Sequence, residues 1–81
     1  MQAGEALIIR PCRRVHTFGV GYPLDVVFCD SDLRVLHVET MESGRISKRV
    51  RGASMCIEMI GGTAASCGIV PGVSLSIEAA R

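Results

Sequence analysis

The run Leu24–Cys29 constrains the fold more than any other feature of this sequence. It reads L-D-V-V-F-C, begins directly after Pro23, and contains a single charged residue, Asp25. A short, nearly continuous apolar run bounded by turn residues is typical of a strand that is buried on both faces. The sequence therefore predicts a buried β strand that carries a carboxylate.

A hairpin is predicted immediately after this strand. Asp30-Ser31-Asp32 has the composition of a turn, and Arg34–Glu39 alternates polar and apolar residues as R-V-L-H-V-E. Two strand patterns separated by a short turn indicate an antiparallel pair. A symmetric loop would place Phe28 opposite Val35 and would put Asp25 and His37 on opposite faces.

The remaining elements are short and are separated by glycine and proline. Further extended pieces are expected at Ala6–Arg10, Arg13–Phe18, Ala53–Ile60 and Ser74–Glu78, with a short bridge around Ile46–Lys48. One helical turn is expected at Ala64–Cys67, with Thr63 as its N-cap and Gly68 as its left-handed end. We expect a mainly β fold, a small antiparallel barrel or sandwich of about 5–6 strands with one short helix, as a single domain over residues 1–81.

Length and charge limit what such a chain can do. With 81 residues, it can bury only a small core. The net charge of +1 gives no reason to expect nucleic-acid binding. No apolar run is long enough to span a bilayer, and the start of the chain does not resemble a signal peptide, so a cytoplasmic location is expected. Positive charge is concentrated locally, in the two clusters Arg10, Arg13, Arg14 and Arg45, Lys48, Arg49, Arg51.

These two basic clusters leave two interpretations open. They are either two solvated loops or, if they meet in space, a surface that binds an anion.

The four cysteines do not form a recognisable motif. Cys12, Cys29, Cys56 and Cys67 show neither a C-x-x-C pair nor a zinc spacing. Without an export signal, we expect free thiols, whereas a secreted chain could form two disulfides. The two histidines and scattered thiols do not suggest a metal site, and no cofactor is expected.

Candidate site residues are drawn from the polar groups near the predicted strands. Asp25 and Glu58 each lie within an apolar run, so each needs a hydrogen-bonding or charged partner. An arginine–carboxylate network of this kind is either structural or a binding site. Cys12 and His16 would lie ~13 Å apart on an extended chain, which argues against a nucleophile–base pair. The candidate ligand-binding residues are Arg13, His16, Thr17, Asp25, Arg51 and Glu58, and no catalytic residue is assigned.

Three long segments together resemble a known family. They are V-H-T-F-G-V-G-Y-P-L-D-V-V-F-C-D-S-D-L-R-V-L-H-V, R-I-S-K-R-V-R-G-A-S-M-C-I-E-M and G-T-A-A-S-C-G-I-V-P-G-V. Their order is similar to that in the bacterial and archaeal domain-of-unknown-function family 192, and the similarity covers nearly the whole chain. The resemblance implies a compact β-rich fold and no particular reaction.

The sequence also departs from the family pattern. Leu33 stands where a glycine usually closes the hairpin turn, which leaves the turn type open, because a branched aliphatic residue resists positive φ. Val20 and Val73 replace a common methionine and a common aspartate. A segment that usually precedes Gly4 is missing, and we expect its absence to leave an open edge at Ala6–Ile9 that pairs with a second copy as a homodimer.

We therefore expect a small β-rich binding or structural module that docks a partner protein or a small anionic ligand. The alternative is a small enzyme that uses Asp25, Glu58 and His16 as acid–base groups.

Overall fold

The computed structural model describes residues 4–76 and shows one β-sheet with a short helix. The four strands are β1 (Leu7–Ile9), β2 (Leu24–Cys29), β3 (Val35–Met41) and β4 (Met55–Ile60), and the helix is α1 (Thr63–Ser66). The mainly β class with one short helix is confirmed. Within residues 4–76 there are four strands rather than about 5–6, because two of the other predicted extended pieces contribute isolated bridges rather than strands.

The sheet order is β1-β4-β2-β3, with antiparallel pairing throughout. All six residues of β2 are buried, as the apolar run predicts. β2 lies between two strands, and both of its faces are covered by other parts of the chain. The sheet is open, with β1 and β3 at its edges.

Two apolar clusters cover the two faces of the sheet. Residues of the segments after β1 and before β4 cover the first face, which we call the loop face. Its buried members are Cys12, Val15, Leu24, Val26, Phe28, Met41, Val50, Ala53 and Cys56. The second face, which we call the helix face, includes Ala64 of α1. Its buried members are Val27, Cys29, Val35, Met55, Ile57, Met59 and Ala64.

The predicted hairpin forms, but its predicted register is wrong by two residues. Cys29 lies opposite Val35, one residue beyond the predicted partner, and Phe28 lies opposite His37, two residues beyond it. The first residue of this difference arises in the turn, and the second arises at an irregularity between Phe28 and Cys29. Leu33 adopts a φ of 64° in the turn, so a leucine takes a left-handed conformation that glycine adopts more readily. Asp25 and His37 lie on opposite faces, as expected.

Several predicted ends also need correction. Arg13–Phe18 is not a strand, and its single bridge joins His16 to Ile46, which confirms the bridge expected in the second basic loop. β4 begins at Met55 rather than at Ala53. Ser74 forms a bridge with Arg34, and the rest of the predicted final strand, from 77 onward, lies outside the described residues.

The helix begins one residue earlier than predicted. Its N-cap is Gly62, with a φ of 96° and no side-chain cap of its own, so the assignment of Thr63 as N-cap is wrong. Gly68 has a φ of 69°, which confirms the predicted left-handed end.

Candidate anion-binding surface

The two basic clusters of the sequence meet in the folded chain. The backbone N–H of Val50 donates to the carbonyl oxygen of Arg13 at 2.8 Å. Further along, Ser47 donates in the same way to Val15 at 2.7 Å. The segment before β2 therefore runs beside the segment before β4, and Arg13 and Arg49 are brought to one surface.

Two open cavities lie on this surface. The first has a volume of about 400 Å³ and is lined by Ile9, Pro11, Cys12, Arg13, Arg14 and Arg49. The second has a similar volume and is lined by Arg13, Arg49, Arg51 and Gly52. Arg13 and Arg49 contribute to both, so the cavities are neighbouring parts of one surface. We call the four residues Arg13, Arg14, Arg49 and Arg51 the arginine surface.

The charge of the arginine surface is not neutralised by the described part of the chain. All four arginines are exposed. Within residues 4–76, none of their guanidinium groups forms an ion pair with a carboxylate, and the ion pair seen there joins His37 and Glu39 at 3.1 Å. Four guanidinium groups without an ion-pair partner among residues 4–76 surround shallow cavities. They favour the binding of anions, because guanidinium donors match carboxylate and phosphate oxygens.

A third cavity adjoins the arginine surface and contains a carboxylate. Its volume is about 280 Å³, and its lining includes Arg14, His16 and Glu58. Glu58 is only 9% exposed. Burial raises the pKa of its carboxyl group, and the charge of His16 acts in the opposite direction. The cavity thus places one acid and one imidazole near the arginines.

His16 is positioned by local contacts in the loop. Its ring stacks against Phe18, with the ring centroids 5.4 Å apart, and its backbone forms the bridge to Ile46. Phe18 itself is 59% exposed, so the stacked pair faces solvent. This contact was not expected from the sequence.

Thr17 has a structural role in the same loop. It is fully buried, and its hydroxyl group donates to the carbonyl oxygen of Glu42 at 2.6 Å. The same oxygen accepts the backbone N–H of Arg45 at 2.9 Å. Thr17 therefore joins the two basic segments from the inside and does not line any of the three cavities.

Asp25 lies apart from the other candidates, on the helix face. Its Oδ1 accepts the hydroxyl group of Thr40 at 2.6 Å, and its Oδ2 accepts the backbone N–H groups of Gly62 and Ala64, each at 2.9 Å. Glu58 lies on the loop face, since it pairs in register with Val26. The structure thus brings His16 and Glu58 together but separates Asp25 from both, and the acid–base alternative keeps only two of its three residues.

The expectation of four free thiols is wrong for two of them. Cys12 and Cys56 form a disulfide with a Cα–Cα distance of 5.7 Å, whereas Cys29 and Cys67 are free. The two bonded residues are 44 positions apart, so their proximity depends on the sheet, and their spacing carries no signal of it. Cys12 belongs to the linings of the first and third cavities, so the disulfide lies between them.

The model of one protein family matches the chain over residues 1–77, and this match shows the family to which the chain belongs. The protein belongs to DUF192. The family is described as "Uncharacterized ACR". No curated protein and no solved structure matches the chain.

Two arginines that line these cavities of the DUF192 domain were not among the candidate ligand-binding residues chosen from the sequence. Arg14 lines the first and third cavities, and Arg49 lines the first and second. The two basic clusters were the available signal, but composition alone does not show which arginines face the same side. Arg13, Arg51, His16 and Glu58 were predicted, and each lines at least one cavity.

Over residues 4–76, no three His, Cys, Asp or Glu side chains are grouped in a way that could hold a metal ion. In that same range, no helix has the length and apolarity needed to cross a membrane.

Proposed function

We propose that this DUF192 domain is a binding module that docks an anionic group on the arginine surface. The observation that carries the proposal is the meeting of Arg13 and Arg14 with Arg49 and Arg51, which come from segments on opposite sides of β2 and β3 in the sequence. The occupant is a small ligand or a partner group that bears carboxylate or phosphate oxygens.

The shape of the surface supports a small anionic group. The first cavity combines three arginines with the apolar side chains of Ile9 and Pro11. Apolar walls lower the local dielectric constant and strengthen the attraction between guanidinium groups and an anion. Since the cavities are open, the interaction is also expected to weaken as salt concentration rises.

The test is a calorimetric titration of the domain with inorganic pyrophosphate at low ionic strength. Arg49→Gln removes a charge shared by two cavities and should lower affinity about tenfold, the effect of losing one charged hydrogen bond. Arg34→Gln is the matched control, because Arg34 is exposed and lines none of the three cavities. Equal losses in both variants, or no binding to the unchanged domain, would contradict the proposal.

We also propose that the domain forms a homodimer through the edge at Ala6–Ile9. In the described residues, β1 pairs with β4 on one side. Leu7 and Ile8 are 51% and 37% exposed, and the strand carries no charge. An uncharged edge strand offers unpaired backbone groups, and a second copy of the same strand is the simplest partner for them.

The cytoplasmic location stays a prediction. The Cys12–Cys56 disulfide is a type of bond that persists more readily in oxidising compartments. Fractionation of the native host, followed by immunodetection of the domain, tests this prediction directly.

A further inference from the structure

The disulfide occupies an unusual position for a purely structural bond. Both cysteines are buried, but Cys56 is fully enclosed, whereas Cys12 is 9% exposed and lines two open cavities. The two sulfurs are therefore unequal, and an incoming reagent can approach the Cys12 side. Accessible disulfides are the ones that take part in exchange, while enclosed disulfides resist it.

The surroundings of Cys12 favour an anionic reagent. Cys12 is followed directly by Arg13 and Arg14 in the chain, and Arg49 completes the lining of the first cavity. Among the described residues, none that lines this cavity is acidic, whereas the third cavity contains Glu58. The approach from the arginine side therefore attracts negative charge, and the thiolate is the reactive form of a thiol.

We propose that the Cys12–Cys56 disulfide exchanges with a small thiol that bears carboxylate groups, and that the arginine surface guides this thiol to Cys12. This inference rests on the proposed function, because it takes the bound anionic group to be part of a thiol compound. It adds a chemical activity to what would otherwise be a docking site.

The exchange is a simple substitution at sulfur. The incoming thiolate attacks Cys12 Sγ and forms a new S–S bond, and the Cys12–Cys56 bond breaks. The electron pair of the broken bond goes to Cys56 Sγ, which takes up a proton from water. A second thiolate then attacks the sulfur of the bound small thiol, the bond to Cys12 breaks, and Cys12 Sγ leaves as a thiolate that takes up a proton. Two thiols are thereby oxidised to one disulfide, and the domain is reduced to a dithiol.

The reduced state has a hydrogen-bonding partner already in place. Cys12 Sγ lies 3.4 Å from the carbonyl oxygen of Arg14, so a Cys12 thiol can donate to it. Cys56 remains in the apolar cluster of the loop face, where a neutral thiol is well accommodated. Both products of the cleavage thus fit the folded chain.

The experiment measures cleavage of the disulfide in the folded domain by glutathione, which is anionic, and by cysteamine, which is cationic. Cys67→Ser serves as the starting protein, because the exposed Cys67 thiol would compete. Rates are normalised to thiolate concentration. At low salt, glutathione should then cleave the disulfide about tenfold faster than cysteamine, a difference in the range of electrostatic steering. Arg49→Gln should reduce this preference, and Arg34→Gln should leave it unchanged.

The attacked sulfur is identified by trapping and peptide mapping. Rapid alkylation should give glutathione on Cys12 and the alkyl group on Cys56. Glutathione on Cys56 would overturn the assignment. Cleavage that occurs only after unfolding would show a structural disulfide and overturn the proposal.

The two proposals can fail separately. If pyrophosphate binds and the folded domain resists both thiols, the exchange is wrong and the docking function stands. If both thiols react at the same rate and pyrophosphate does not bind, the arginine surface has no role as an anion site and both proposals are wrong.

Discussion

Asp25 Oδ2 accepts a hydrogen bond from the backbone N–H of Ala64, 39 residues further along the chain, at 2.9 Å. The same oxygen accepts the N–H of Gly62, so a carboxylate in the central strand satisfies the free N–H groups at the start of α1. Helix starts usually obtain this help from their own N-cap side chain, which Gly62 lacks. The buried charge of β2 is therefore a long-range cap.

Asp25→Asn is expected to destabilise the domain by about 1–3 kcal/mol, because an amide cannot accept all three hydrogen bonds that the carboxylate accepts. Denaturant unfolding measures the loss. Asp32→Asn is the matched control in the exposed turn, and its unfolding free energy should stay close to that of the unchanged domain. An unaltered midpoint for Asp25→Asn would show that this cap contributes nothing.

Glu58→Gln is expected to stabilise the domain at pH 7. Burial raises the pKa of Glu58 above its ordinary value of 4.5, so the folded state holds this proton more tightly than the unfolded state. In the unchanged domain, the stability that the more tightly held proton of Glu58 contributes is complete below pH 4.5. It is lost as pH rises through the raised pKa of the folded state. Glutamine stays neutral, so its advantage should be small at low pH and should grow across that window.

Thermal unfolding as a function of pH tests this prediction. The groups that face Glu58 across the cavity are Arg14 and His16, and both are kept unchanged. Glu42→Gln is the exposed control and should not show a comparable trend. A Glu58→Gln effect of the same size at every pH would mean that the carboxyl group is not titrating differently in the folded state.

Alkylation of the denatured domain without reductant is expected to label Cys29 and Cys67 alone, as counted by mass spectrometry. Reductant should raise the number of labelled cysteines from two to four. Because the bond closes a long loop, the reduced domain should lose about 2–4 kcal/mol of stability in denaturant unfolding. Labelling of all four residues without reductant would refute the disulfide.

Ile8→Lys is expected to weaken the homodimer without unfolding the chain, because a charge on an edge strand opposes pairing with a second edge. Light scattering coupled to size exclusion measures the mass at increasing concentration. Val70→Lys is the control, since Val70 is also apolar and exposed but lies far along the chain from β1. A mass of 8.6 kDa for the unchanged domain at every concentration would exclude the dimer.

Local patterns predicted the parts of this fold that depend on local sequence. The buried strand β2 and the turn after it were readable because their residues are consecutive. The register was not readable, because it depends on an irregularity at Cys29 and on Leu33 accepting a left-handed conformation that its side chain disfavours. A single extra residue in a turn region moves every later pair.

The candidate site was only partly predictable for a related reason. His16 and Glu58 were chosen as polar residues near apolar runs, and the fold places them in one cavity. Asp25 met the same criterion yet lies on the other face of the sheet. Neighbouring residues of a strand point to opposite faces, so a shift of one residue changes the face on which a side chain lies. The disulfide between Cys12 and Cys56 and the proximity of Arg13 to Arg49 depend on the order of the strands in the sheet. Local sequence patterns do not predict this order.

The position of Cys56 has a consequence for the movement of the edge strand. Cys56 is bonded to Cys12 and also lies opposite Ile9, the last residue of β1. If β1 separates from the sheet, its end stays within about 10 Å of its place, the reach of three residues. Re-pairing then occurs within the same molecule, and swapping of β1 between two copies is suppressed. Reduction lengthens the tether and makes such a swap accessible.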